Sequence, residues 1–363
     1  MENTDKAVSG NKITCKGCGA YLKYKPGTQF TSCEYCGFEN EIVVPQTSIE
    51  EHDYLSVLNN ETSEETLTAE FIKCESCQAV STLNANLSSA FCPYCTSPLI
   101  IGNLHTETII QPKSVLPFKF DQKLAKEEFS KWIRKLWFAP NNLKQVLSLN
   151  NFKGIYIPYW TFDTDTYTEY TGERGEYYYV TENYTTTEDG KQVTRTREVR
   201  RTRWYDTSGA VDVPFDDLLV IATRSLPEKQ SQRLEPWDLE NLVPFDESYL
   251  SGFITEKYQI NLEEGFEIAK ELAVSGIESA IRDDIGGDEQ HISSMETTHS
   301  NITFKHLLFP VYVSAYKYNN KLYQFLINGR TGEVQGQRPY SWIKIVLFSL
   351  VILILIYVLT LVV

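Results

Sequence analysis

All eight cysteines of this 363-residue chain fall into four C-x-x-C pairs: Cys15/Cys18, Cys33/Cys36, Cys74/Cys77 and Cys92/Cys95. The interval is the same in both sets, with 14 residues between Cys18 and Cys33 and 14 between Cys77 and Cys92. Each cysteine of the first set has a counterpart 59 positions on, and the surroundings repeat too: Ile13/Ile72, Ala20/Ala79, Tyr35/Tyr94 and Ile42/Ile101. This is an internal duplication, although two copies do not make a solenoid. A C-x-x-C turn presents two thiolates on one side, and two such turns on neighbouring hairpins close a tetrahedron of sulfurs around a metal. The chain is therefore expected to hold two structural Zn2+ ions, one on Cys15, Cys18, Cys33 and Cys36, the other on Cys74, Cys77, Cys92 and Cys95. Four thiolates leave no open position for water, and ribbons this small draw folding free energy from their metal. Iron–sulfur ligation also uses four cysteines and is the alternative. Disulfides belong to oxidising compartments, and a thioredoxin-like site needs one such pair on a βαβ unit.

The second constraint is the tail, IVLFSLVILILIYVLTLVV at 345–363, of which sixteen residues are Ile, Leu, Val or Phe. As a helix it reaches roughly 28 Å, close to the hydrocarbon thickness of a bilayer. Those sixteen side chains contribute roughly −5 to −10 kcal/mol to insertion, with no charge opposing them. The bland alternative, a core helix, needs apolar cover on all sides. Arg330, Arg338 and Lys344 precede the span, with Tyr340 and Trp342 placed for the interface. The positive-inside rule then keeps the body in the cytoplasm, at the cell membrane, as a single-pass, tail-anchored protein. The opening MENTDKAVSGNK has no apolar core, so no signal peptide is expected.

Between these features the chain divides into a first zinc ribbon (12–44), an acidic linker (45–70), a second ribbon (71–102), a body (113–340) and the membrane segment (343–363). The linker carries Glu50, Glu51, Asp53, Glu61, Glu64, Glu65 and Glu70 with no Lys or Arg from 46 to 70, and reads as a solvated connection or a frayed helix. The body reads as α+β in two related halves, about 113–225 and 226–340, a diverged duplication. Each half has a Pro-Phe opening (Pro117-Phe118, Pro244-Phe245), a helix, then an apolar strand containing a proline (Pro158, Pro310). The helices are expected near 121–138, capped by Asp121, and 262–284, capped by Asn261 with Gly286-Gly287 after its end. A proline inside a strand points to an edge, a bulge or a strand start. Residues 164–204 read as a hairpin turning at Asp189-Gly190, with Arg195, Arg197, Arg201 and Arg203 on one face. These arginines suit either an anionic lipid surface or cross-strand pairing with Glu169, Glu173, Glu176 or Glu182; pairing is preferred. A second turn is expected at Asn319-Asn320.

Net charge is −14, which disfavours broad affinity for nucleic acid. The five histidines (His52, His105, His291, His299, His306) form no metal motif, and no signature links a nucleophile to a base, so no catalytic residue is assigned. No G-x-x-x-x-G-K-[ST] loop is present, so a nucleotide-driven helicase is not supported.

The runs GIYIPYWTFD (154–163), RWYDTSG (203–209), FDDLLVIATRSL (215–226), LVPFDESYLSGF (242–253) and INGRTGEVQGQRP (327–339), together with the four knuckles, resemble bacterial zinc-ribbon membrane proteins labelled as transcription factor IIB-type zinc-ribbon or primosomal helicase-like proteins. The resemblance implies a non-catalytic role at the membrane, with phage-shock-type or flotillin-like proteins as partners in envelope stress. Gln78 and Thr96 stand where the first ribbon has Gly19 and Gly37, so the second site is expected to be looser or distorted. The function expected is a membrane-tethered adaptor that recruits proteins to the cytoplasmic face. A nucleic-acid-binding ribbon protein using Lys12, Lys16, Lys23 and Lys25, and a membrane-bound enzyme with its site in the body, are the alternatives.

Overall fold

Two small three-stranded sheets carry the cysteines, and one nine-stranded sheet carries the body. The computed structural model describes residues 13–44, 51–59, 66–82, 91–140, 152–188, 191–318 and 321–362. The first module is an antiparallel sheet of β1 (Lys23–Tyr24), β2 (Phe30–Ser32) and β3 (Glu39–Glu41). It is welded to the body. Tyr24 and Ile42 are buried in one cluster with Phe118 and Tyr249. The Tyr24 N–H donates to the Ser251 carbonyl at 2.9 Å, and the Ser251 hydroxyl donates to the Leu22 carbonyl at 2.5 Å.

The segment read as a solvated linker is partly built into the fold. Strand β4 (His52–Asp53) pairs with the body at Thr303 and Phe304, and Asp53 caps the short helix α1 (Tyr54–Leu58). Glu51 finds its cation within the chain, 2.8 Å from Lys305. Glu50, Glu61, Glu64 and Glu65 lie outside the described residues. The second module begins within the stretch assigned to the linker. Strand β5 (Thr66–Lys73) pairs with β6 (Val80–Ser81) on one side and β7 (Leu104–Ile110) on the other, so its sheet extends beyond 71–102.

The body follows as β8 (Ser114–Val115), α2 (Gln122–Arg134), β9 (Lys153–Glu188), β10 (Lys191–Ile221), α3 (Glu228–Gln232), β11 (Val243–Pro244), β12 (Ile254–Thr255), α4 (Leu262–Ile285), β13 (Glu289–Tyr318), β14 (Lys321–Asn328) and β15 (Val334–Gly336). Both helices start where their caps predict. The Asp121 carboxylate accepts from the N–H groups of Lys123 and Leu124, and the Asn261 side chain accepts from Glu264 N–H. Gly286 and Gly287 stop α4 with φ of 64° and 76°, a conformation that strains other residues.

The body's two halves interlock, but not through the Pro-Phe openings. Leu242-Val243-Pro244-Phe245 does not occupy the place of Val115-Leu116-Pro117-Phe118; it pairs with it, Val243 opposite Val115. The counterpart of β8 is β12. Ser114 precedes the Asp121 cap by the same interval as Ile254 precedes Asn261, and each strand runs parallel to the other half's proline strand, Ser114 beside Leu307 and Ile254 beside Ile155. The proline strands β9 and β13 lie antiparallel at the centre, with Ile157 opposite Phe309 on the pseudo-two-fold axis.

This exchange corrects the expectation that the prolines mark an edge or a strand start. Pro158 sits where the outer neighbour of β9 changes from β12 to β10, and Pro310 where that of β13 changes from β8 to β14. Their carbonyls still accept, from Ala222 N–H at 2.9 Å and Gly329 N–H at 2.8 Å. The N–H that proline lacks falls at a gap between two partner strands, where no ladder bond is forfeited.

Beyond Gly175, where β13 begins, β9 and β10 continue as a two-stranded arm exposed on both faces. The turn expected at Asp189-Gly190 lies outside the described residues, as does that at Asn319-Asn320. Among the acids expected to neutralise the arginines, Glu182 does so twice, 2.5 Å from Arg201 and 3.5 Å from Arg197. Arg200 and Arg203 lie over the rings of Tyr177 and Tyr178. Glu169 and Glu173 stand opposite Ala210 and Asp206, so they do not serve as cross-strand partners for arginine.

The chain ends in α5 (Trp342–Val362), with mean hydropathy 2.8 over Trp342–Thr360 and none of that stretch buried. It leaves the sheet from the end opposite the arm. β13 pairs with Gly175 toward the arm and with Lys153 at the far end, and Gln337 beyond β15 bonds Gln324 at that far end. The helix root is fixed by Ser341 N–H donating to the Phe138 carbonyl (2.7 Å) and by the Lys344 ammonium donating to the Ala139 carbonyl (2.8 Å).

Candidate metal centres

Each set of four cysteines converges within its own repeat. In the first, Sγ of Cys15 lies 3.5 Å from Cys36 and Sγ of Cys18 lies 3.5 Å from Cys33. In the second, Cys74–Cys95 is 3.6 Å and Cys77–Cys92 is 3.5 Å. All four sulfurs of each set lie within 4.8 Å of one another. A tetrahedron with Zn–S near 2.3 Å requires sulfurs about 3.8 Å apart, so both clusters fit a four-sulfur metal cage with slight expansion.

The knuckles that aim these sulfurs are alike. In each, the N–H four residues on bonds back to the first cysteine's carbonyl: Gly19 to Cys15 (2.9 Å), Gly37 to Cys33 (3.0 Å), Gln78 to Cys74 (2.9 Å) and Thr96 to Cys92 (2.9 Å). The residue making that bond is left-handed in all four, φ 74° and 73° at the glycines, 64° at Gln78 and at Thr96. The looser second site expected from the missing glycines is not seen in the sulfur geometry; the departure is carried as backbone strain at Gln78 and Thr96.

The surroundings differ sharply. Cys18 and Cys36 are exposed, and the module around them shows Tyr35 (81% exposed), Phe38 and Val43 to solvent. Cys74, Cys92 and Cys95 are buried and share a cluster with Leu116, Ile155, Ile157 and Leu234 of the body. Tyr94 between the last two cysteines is fully buried, its hydroxyl donating to Glu256 at 2.7 Å. Thr223 donates to the other Glu256 oxygen, also at 2.7 Å. Burial pushes the Glu256 carboxyl up to about 7. The second cluster is thus an organ of the body, and the first is its exposed outpost.

The only further grouping of potential metal-binding residues among the described residues is Asp163, Asp216 and Asp217. Lys305 already occupies it, 2.9 Å from Asp217 and 3.7 Å from Asp163, while also holding Glu51. The arrangement is an ion-pair node pinning β4 to the sheet. No sequence motif marked it. Of the basic flank expected before the span, Arg330 is diverted, donating to Asp238 at 2.5 and 3.1 Å. Arg338 and Lys344 remain at the helix root.

Fold and clusters together define the class: two small β-sheet tetracysteine modules on an α+β body, with a long apolar C-terminal helix. Within known proteins the chain is similar to the "Uncharacterized protein YdjG" of Bacillus subtilis (strain 168), 27% identical over 234 residues, 64% of this chain. The match spans 65% of that protein, just under two thirds of its length. No family model matches the chain, and no solved structure matches it.

Proposed function

We propose that the protein is a membrane-tethered, non-catalytic adaptor. Zn2+ held by the two clusters locks the knuckles, α5 spans the bilayer, and the first ribbon presents a recruiting face to cytoplasmic or membrane-associated protein partners. The observation that carries the reading is the combination of closed four-sulfur cages with a fully exposed apolar helix rooted in the same body. Arg338 and Lys344 beside Tyr340 and Trp342 favour a cytoplasmic body by the positive-inside rule. The exposed Tyr35 and Phe38 on the outer knuckle of the first ribbon are aromatic anchors of the kind that dominate protein interfaces. Tethering raises the local concentration of such a module, so a modest patch suffices. A link to phage-shock-type or flotillin-like proteins rests on the sequence resemblance alone.

The test compares three proteins in cross-linked membranes: the full chain, one lacking 345–363, and the Tyr35→Ala/Phe38→Ala variant. The full chain should retain its partner at the membrane. The truncation should release both into the soluble fraction, and the double variant should stay membrane-bound without the partner. Retention of both chain and partner at the membrane after truncation refutes the reading.

A further inference from the structure

Beside the root of α5 lies an open groove of about 1550 Å3. Its wall on one side is α5 itself, through Trp342, Ile343 and Leu347. The described lining also includes Lys229, Arg233, Lys321, Arg338 and Lys344, and no Asp or Glu. In a chain of net charge −14, five cations and no carboxylate among the described residues lining one groove is a strong local reversal of sign. The cations come from four separate stretches: the α3 region, the start of β14, the segment after β15 and the first turns of α5. The fold, not a local motif, assembles them. Tyr323, Tyr340 and Trp132 complete the lining.

From this placement we infer that the groove binds the headgroup of an anionic phospholipid. The inference deepens the proposed function and rests on its reading of α5 as membrane-inserted. Phosphate is the shared chemistry of a lipid headgroup and of free phosphate, and continuity with the span selects the lipid. Ile343 and Leu347 belong to both the groove and the first turns of α5, so a headgroup seated among the cations has its acyl chains alongside the helix. Basic pockets at the cytoplasmic ends of membrane helices recognise anionic lipids in this manner, and aromatic rings at the same level anchor the interface. The arginine-rich arm, the other basic feature, does not share this geometry. It projects from the opposite end of the sheet, along strands of which β9 alone has 36 residues, about 120 Å fully extended.

The experiment is native mass spectrometry of the full chain released from nanodiscs containing equal phosphatidylglycerol and phosphatidylcholine. Three proteins are compared: wild type, Arg233→Gln/Lys321→Gln/Arg338→Gln in the groove, and Arg195→Gln/Arg197→Gln/Arg201→Gln on the arm. Wild type should retain phosphatidylglycerol selectively, the arm variant should match it, and the groove variant should bind about 100-fold more weakly. Circular dichroism and metal content check folding; if the triple variant is misfolded, Arg338→Gln alone should lose about fivefold. Equal retention of the two lipids, undiminished phosphatidylglycerol on the folded groove variant, or complete displacement by millimolar inorganic phosphate overturns the inference. A wild-type chain that fails to enter nanodiscs defeats the reading of α5 instead, and the inference with it.

Discussion

Thr96→Gly should tighten the second metal centre. Thr96 follows the Cys92–Cys95 knuckle with φ of 64°, and a left-handed backbone costs an ordinary L-residue about 1–2 kcal/mol, with a β-branched side chain toward the upper end. Glycine removes that strain but surrenders about 0.4–1 kcal/mol through the entropy of the unfolded chain. The net gain is about 1 kcal/mol, or about fivefold in metal retention. The reciprocal change isolates the backbone effect. At Gly37 the site of an added Cβ has no neighbour within 4 Å, so Gly37→Thr meets no steric obstacle and suffers only the conformational penalty. It should weaken the first centre by a similar factor. Competition against a chromogenic chelator under reducing conditions reads both. Loss of metal affinity in Thr96→Gly, or an unchanged first centre in Gly37→Thr, refutes the claim that the four knuckles share one strained turn.

Three further outcomes follow from particular contacts. His306 is fully buried, one ring nitrogen on the Ile110 carbonyl at 2.8 Å, and burial pushes its pKa down from 6.5 to about 4. A base whose folded pKa lies below its unfolded value contributes stability above the unfolded pKa and loses it as pH falls. Urea denaturation should therefore show wild type losing about 3 kcal/mol more than His306→Gln between pH 6.5 and 4; parallel profiles contradict this. Tyr94→Phe withdraws one of the hydroxyls on buried Glu256 and should cost about 1–3 kcal/mol, with the second centre losing metal before the first in a chelator titration. Gly265→Ala places a methyl 2.8 Å from Trp160 Cδ1, where α4 crosses the sheet, and should lower stability by about 1–3 kcal/mol in thermal unfolding, whereas Gly286→Ala should act only through φ.

What could be read from sequence was whatever is encoded locally. The cysteine intervals brought the right sulfurs together, Asp121 and Asn261 capped the helices assigned to them, and the apolar tail emerged as an uncovered helix. Long-range pairing was less legible. The likeness of Val115–Phe118 to Leu242–Phe245 suggested equivalent openings, yet these segments are neighbours, because an apolar Pro-Phe run says nothing about which strand it joins. The prolines misled for a related reason. A missing N–H excludes a continuous ladder, but a central strand whose neighbour changes at that residue has no such ladder there. Lys305 and the cationic groove were invisible because their members are distant in sequence. Arg330 was misread as a flank because its Asp238 partner lies 92 residues away.

In the proposed reading, eight cysteines form two closed metal cages that hold the ribbons to a body anchored by α5. Elemental analysis of the full chain, purified in detergent under reducing conditions, tests it most directly. Two equivalents of zinc per chain are predicted, and one equivalent, none, or iron in its place contradicts the account.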